Sequence, residues 1–219
     1  MKKILVTGGA GYIGSHAAVE LLDAGYEIVV VDNFYNSKPK AIENVEKITG
    51  KKFKFYEGDV CDKELLRKIF SENEIEAVMH FAGYKAVGES VAKPLMYYRN
   101  NLDCTLSLLE IMQEFNCKKF VFSSSATVYG DPERLPIDEK CRLSVTNPYG
   151  ATKLYIEGIL KDLYISDNEW SIAILRYFNP VGAHESGLIG EEPNGIPNNL
   201  VPYIVKVANK ELPYLNVFG

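Results

Sequence analysis

Tyr149 and Lys153 stand four residues apart in the stretch Tyr149-Gly150-Ala151-Thr152-Lys153. On a helix that spacing puts both side chains on one face. A free tyrosine has a pKa near 10, so a phenol that serves as a base at neutral pH needs about 4 kcal/mol of help. One ammonium about 4 Å away supplies up to about 4 kcal/mol at an effective dielectric of about 20. The pair therefore suits acid/base work through a phenolate. The same two residues could also decorate an ordinary amphipathic helix, and their company elsewhere in the chain decides between the two.

That company begins at the N-terminus. Gly8, Gly11 and Gly14 are spaced G-x-x-G-x-x-G, and Gly9, Gly11 and Gly14 also fit G-x-G-x-x-G. Glycines at those positions make a tight strand-to-helix turn that lets a pyrophosphate approach the free N–H groups of a helix N-terminus. Alone the triplet is weak; following an apolar strand and opening a helix, it reads as a dinucleotide-phosphate turn. Asp32 follows Gly14 by 18 residues and ends the second apolar run. A carboxylate there accepts hydrogen bonds from ribose hydroxyls and repels a 2′-phosphate, so NAD is expected over NADP. The nearest cation downstream is Lys38.

These residues need elements to position them. Apolar runs at 3–7, 27–32, 53–57, 77–81, 119–123 and 172–176 read as strands, several unbroken as in strands covered on both faces. Helical periodicity lies between them: Ile13, Ala17, Leu21 and Ala24 after the first, Leu65 and Ile69 after the third, Leu108, Ile111, Met112 and Phe115 before the fifth, and Ile156, Ile159, Leu160 and Leu163 before the sixth. Repeated strand–helix order predicts an α/β fold with a doubly wound parallel sheet of the Rossmann type. Gly8, Asp32, Gly58-Asp59, Ala82-Gly83, Ser123-Ser124-Ser125 and Asn179 all fall at or just past predicted carboxyl strand ends, where open parallel sheets bind ligands. From 179 to 202 the chain is rich in Pro and Gly and reads as a long loop of the kind that is usually functional or disordered. A short helix is expected at 203–209 and a strand at 214–218. The expected division is a dinucleotide-binding unit over 1–178 and the start of a smaller, C-terminal substrate unit, cut short, over 179–219. His80 sits in an apolar run and reads as a satisfied core histidine; His16 is given no chemistry, and Trp170 is read as packing.

The 219 residues carry 24 Lys and Arg against 29 Asp and Glu, a formal charge of −5. A mildly acidic chain is a poor match for nucleic-acid phosphates or an anionic membrane. No apolar run is long enough to span a bilayer. Cys61, Cys104, Cys117 and Cys141 include no C-x-x-C pair, so no metal site is expected and reduced cytoplasmic thiols are.

Specific stretches carry a resemblance. VTGGAGYIGSH (6–16), VDNFYNS (31–37), EGDV (57–60), HFAGYKAVGESV (80–91), FSSSATVYGD (122–131), NPYGATK (147–153), LRYFNPVGAH (175–184) and GIPNNLVPYI (195–204) are similar to the UDP-galactose 4-epimerase family of the extended short-chain dehydrogenases/reductases. The resemblance spans the chain. It implies a cytoplasmic enzyme that interconverts UDP-galactose and UDP-glucose by transient oxidation at the sugar C4 with bound NAD, forming a homodimer at full length. Tyr149 would be the acid/base, Lys153 would tune it and hold the nicotinamide ribose, and Ser125 would bond the same 4-hydroxyl. Tyr12 and Ile13 would meet the pyrophosphate. Asp32, Asn33, Asn36, Ser37, Asp59 and Val60 would surround the adenosine. Phe81, Ala82, Gly83, Lys85, Asn100 and Ser123 would line the rest of the cofactor, with Tyr177 and Phe178 near the nicotinamide. Asn179, Asn199, Leu200, Asn216, Val217 and Phe218 would touch the nucleotide-sugar. Related 4,6-dehydratases place an Asp-Glu pair where this chain has Ser125-Ala126-Thr127, which cannot eliminate water. An epimerase of another nucleotide-sugar and a non-catalytic NAD sensor are the alternatives; the intact Tyr149, Lys153 and Ser125 set speaks against the sensor. Family members carry further uridine and phosphate contacts beyond the equivalent of residue 219, so the chain alone is expected to be inactive.

Overall fold

The computed structural model describes residues 3–194 and 199–216. Six strands, β1 (Lys3–Thr7), β2 (Glu27–Asp32), β3 (Lys54–Glu57), β4 (Ile75–His80), β5 (Lys119–Ser125) and β6 (Ser171–Tyr177), form one sheet. Among the described residues seven α-helices accompany them: α1 (Tyr12–Asp23), α2 (Lys40–Thr49), α3 (Lys63–Glu72), α4 (Val87–Ala92), α5 (Pro94–Glu114), α6 (Pro148–Ser166) and α7 (Leu200–Ala208). All strand pairs are parallel, in the order β3-β2-β1-β4-β5-β6. The order reverses between β1 and β4, which opens a crevice at their carboxyl ends. This is the doubly wound architecture expected from the strand–helix alternation.

Both sheet faces are covered, which explains the unbroken apolar runs. Leu5, Val29 and Val31 pack with Leu66, Leu108, Phe120, Ile156 and Trp170 on one side. Their strand neighbours Val6 and Val30 pack with Ala18, Val19, Leu22 and Val45 on the other. The side-chain period of two thus splits each strand between two cores.

Two local features fix the active helix. Asn147 caps α6, its side chain accepting from Gly150 N–H at 2.8 Å, and Pro148 occupies the first turn. Asn-Pro is a strong helix start, and it places Tyr149 in the first turn and Lys153 one turn on. β5 runs two residues past its expected end. Ser123, Ser124 and Ser125 pair with Leu175, Arg176 and Tyr177 of β6, and the neighbouring edge overrides serine's indifference to strands.

Helices α2 and α4 stood out in no periodicity. The loop after β6 is present over the described residues, and α7 begins three residues earlier than expected. Of the strand expected at 214–218, residues 214–216 are irregular and pair with no strand among the described residues. Val217 and Phe218 lie outside the described residues. Among the described residues no helix is long and apolar enough to cross a membrane.

Candidate active site at the carboxyl edge of the sheet

The turn after β1 requires its glycines. Gly8 has φ +67°, and a Cβ there would lie 2.7 Å from the Ala82 nitrogen. A Cβ on Gly14 would lie 2.2 Å from the Gly8 carbonyl oxygen. α1 is thereby packed hard against the turn, and it starts with no capping side chain and no acidic residue in its first turn. Its N-terminus is left to receive an anion.

Asp32 holds this turn as well as facing the cleft. Its carboxylate accepts from Ala10 N–H at 3.0 Å, Phe34 N–H at 2.8 Å and the Ser37 hydroxyl at 2.8 Å. A carboxylate offers about four acceptor positions, so room for a ribose hydroxyl remains. Asp59 accepts from Asn33 Nδ2 at 3.1 Å and from Cys61 N–H at 2.8 Å.

One cleft runs along the sheet edge from this end to α6. It is lined by every residue expected to hold the cofactor except Tyr177 and Phe178, with Gly8 and Gly11 to Gly14 at its floor, Asp32, Asn33, Asn36 and Ser37 at one end and Ser123, Tyr149 and Lys153 at the other. Val60, Phe81, Ala82, Gly83, Lys85 and Asn100 form the wall between. Tyr177 lies opposite Ser125 in the sheet register, and exposed Phe178 stacks on Tyr129, 6.4 Å between centroids.

At the far end Lys153 is buried, and its Nζ donates to the Ser123 carbonyl at 2.7 Å. Burial pulls its pKa down to about 8. Ser125 Oγ accepts from Thr127 N–H at 3.2 Å and from Thr127 Oγ1 at 3.0 Å. With both lone pairs engaged, its proton is free to point at the Tyr149 phenol, where its hydrogen bond favours the phenolate. Burial nevertheless pushes the Tyr149 pKa up. The expectation of an ammonium about 4 Å from the phenol, with a bound nicotinamide cation adding to its effect, needs correction in its first part. The ammonium is 5.9 Å from the Tyr149 ring centroid and turned toward Ser123, and the dry surroundings penalise the phenolate. A further positive charge must share the task.

His80 is a core residue, as its apolar run suggested. Its Nδ1 meets Thr7 Oγ1 at 2.7 Å and its Nε2 meets Thr105 Oγ1 at 3.1 Å. Burial first, and the Lys153 charge second, bring its pKa down to about 3, so it is neutral at physiological pH. Asp59, Cys61 and Cys104 converge, their ligand atoms within 4.8 Å of one another. A hydrogen bond to Cys61, then burial, push the Cys104 thiol up.

The substrate residues are gathered less closely. Asn179 is exposed, Leu200 opens α7 with 63% exposure, and Asn199 donates to Glu191. Asn216 is exposed coil.

Sequence reasoning missed three contributions. Buried Asn101 ties the turn after β4 to α6: it accepts from Tyr84 N–H at 2.8 Å and donates to Thr152 Oγ1 at 3.0 Å. Tyr35 and Tyr84 pack ring against ring at a tilt of 37° in the cleft lining, 4.5 Å between centroids. Residues 188–193 fold back to form a wall of the cleft, with Ile189 buried beside α1 and α2 and Glu191 paired with Lys85 at 3.1 Å. The length of the loop after β6 was the one available signal for this last wall.

A parallel sheet reversing at β1/β4, with a glycine turn, an acid on β2 and a Tyr-Lys helix along one edge, defines a Rossmann-type dinucleotide-binding protein. The chain belongs to the NAD dependent epimerase/dehydratase family, whose model matches residues 4–219. It is 64% identical over 216 residues to UDP-glucose 4-epimerase of Bacillus subtilis, covering 99% of this chain and 64% of that relative. It is 63% identical over 217 residues to the enzyme of that name from Pasteurella multocida, with the same coverage. The crystal structure of UDP-glucose 4-epimerase from Bifidobacterium longum in complex with NAD+ and UDP matches with a TM-score of 0.95 and 58% identity, over 96% of this chain and 63% of that one. The chain thus spans slightly under two thirds of the length of these relatives.

Proposed function

We propose that this chain provides the cofactor-binding and proton-transfer half of an NAD-dependent UDP-glucose 4-epimerase. The carrying observation is that the glycine turn, Asp32, Ser125, Tyr149 and Lys153, scattered over the sequence, converge along one sheet edge. NAD fits what is there: an uncapped helix N-terminus for the pyrophosphate, the Asp32 carboxylate for the adenosine ribose, and the Lys153 ammonium for the other ribose. NAD+ supplies a hydride acceptor, and a positive charge beside the phenol, when it is bound.

The chain's own residues handle the proton. Tyr149, as the phenolate, takes it from the sugar 4-hydroxyl, Ser125 donates to the phenolate before transfer and to the sugar 4-oxygen afterwards, and Lys153 holds a cation within the same dry pocket. Tyr149 gives the proton back to the 4-oxygen when either epimer is formed. Asn179, Asn199, Leu200 and Asn216 to Phe218 are the nucleotide-sugar contacts of this reading, and residues 179–219 begin the substrate unit. Much of the energy that holds the sugar must come from the remote UDP group. Four free cysteines support a reducing, cytoplasmic setting. Exposed Val91, Leu95 and Tyr155 on α4, α5 and α6 support a homodimer.

Calorimetric titration of the chain with NAD+ and NADP+ tests the cofactor. The expected result is binding of NAD+ and at least about 100-fold weaker binding of NADP+, the cost of roughly 3 kcal/mol for setting a phosphate against a carboxylate. Equal affinities overturn the role of Asp32. Conversion of UDP-galactose by a chain of the relatives' full length tests the reaction.

A further inference from the structure

Beside the reacting groups lies a buried ion pair that the chemistry does not use. Glu157, one turn beyond Lys153 on α6, is fully buried. Arg176 of β6 grips it in a fork: Nε donates to Oε1 at 3.0 Å and Nη2 to Oε2 at 2.7 Å. The Ser124 hydroxyl donates to the same Oε1 at 2.6 Å. Arg176 Nη1 donates to the Tyr129 hydroxyl at 2.9 Å, and the guanidinium lies 5.0 Å from that ring's centroid. Three consecutive serines thereby engage three residues of α6. The Ser123 carbonyl receives Lys153, the Ser124 hydroxyl gives to Glu157, and the Ser125 hydroxyl faces Tyr149.

Stability alone is a weak account of this arrangement. Replacing a buried ion pair by apolar residues of similar size is often neutral or stabilising. α6 already buries Ile156 and Leu160, which hold it to the sheet. Apolar packing is non-directional, however, and tolerates small slides. A guanidinium–carboxylate fork does not, because both parallel hydrogen bonds must keep their geometry. Arg176 also neutralises Glu157, which leaves the Lys153 ammonium turned to Ser123 and the cleft.

We propose that Glu157, held by Ser124 and Arg176, is a positioning residue that sets the seat of α6 on β5 and β6, and so the places of Lys153 and Tyr149 against the nicotinamide-ribose half of the cofactor. The inference rests on the NAD reading above. It says that this clamp serves one half of the cofactor site and not the other: the adenosine end, built from β1, β2 and the glycine turn, lies beyond its reach.

The test is calorimetric titration of the chain with NAD+ and with ADP, which occupies only the adenosine and diphosphate half. Two proteins are compared with the unmodified chain: the paired variant Glu157→Met with Arg176→Met, and Ser124→Ala, which removes one hydrogen bond and leaves the ion pair. The paired variant is expected to lose about tenfold or more in NAD+ affinity, as for a lost charged hydrogen bond, with ADP affinity held within about twofold. Ser124→Ala shows the same selective loss at about threefold and stands in if the paired variant does not fold. Unchanged NAD+ affinity in a folded paired variant overturns the proposal. So does an equal weakening of NAD+ and ADP, the mark of general loosening. An unmodified chain that binds neither overturns the NAD reading, and this inference with it.

Discussion

Replacing Lys153 with methionine converts a buried charge into a pH-dependent stability difference. Burial brings the Lys153 pKa from 10.5 to about 8. Between those values the unfolded chain binds a proton that the folded chain has released, so folding becomes more favourable as pH rises. The Lys153→Met variant lacks this contribution, and subtracting it cancels every other titrating group to first order. The difference in unfolding free energy, unmodified minus Lys153→Met, should climb from its pH 7 value by a fraction of a kcal/mol at pH 8, about 1 kcal/mol at pH 9 and about 2 to 3 kcal/mol at pH 10. The absolute difference at pH 7 depends also on the Ser123 carbonyl that methionine leaves without its donor; the pH slope does not. Urea unfolding of both proteins at four pH values measures it. A difference that stays flat from pH 7 to 10 refutes the reasoning, because it means that the ammonium is hydrated as well in the fold as in the open chain. A value of about 8 leaves Lys153 mostly charged at pH 7, so the site keeps its cation.

Gly14→Ala sets a Cβ 2.2 Å from the Gly8 carbonyl oxygen. Backbone must move to admit it, at about 1–3 kcal/mol for overpacking, and NAD+ affinity should fall at least about tenfold because the phosphate turn is what moves. Thermal melts and NAD+ titration check both, and an unperturbed melt with full NAD+ binding contradicts the close packing of α1 on the turn. Tyr149→Phe, in a chain of the relatives' full length, should lower kcat by ~10²–10⁴ while NAD+ binding persists. Steady-state turnover near that of the unmodified enzyme removes Tyr149 from the proton path.

The local devices were legible before any coordinates. A glycine spacing, an acid at a strand end and a Tyr-Lys pair after an Asn-Pro helix start are short-range patterns, and each works through backbone geometry that a few neighbouring residues dictate. Strand and helix order followed from apolar periodicity because both sheet faces are buried, and the carboxyl edge followed from the order. Distance is where sequence stopped. Ser124, Glu157 and Arg176 come from β5, α6 and β6, and nothing local marks a glutamate at one helix position as the partner of an arginine 19 residues on. Asn101 reaches Tyr84 and Thr152, and residues 188–193 reach the cleft, only because the chain folds back on itself. The phenol's acidity is decided at the same level. Sequence put an ammonium near Tyr149, but the direction of that ammonium and the dryness around the ring depend on what β5 and α6 enclose between them. Short-range geometry is written in adjacent residues, whereas burial and long-range pairing exist only once the layers have packed.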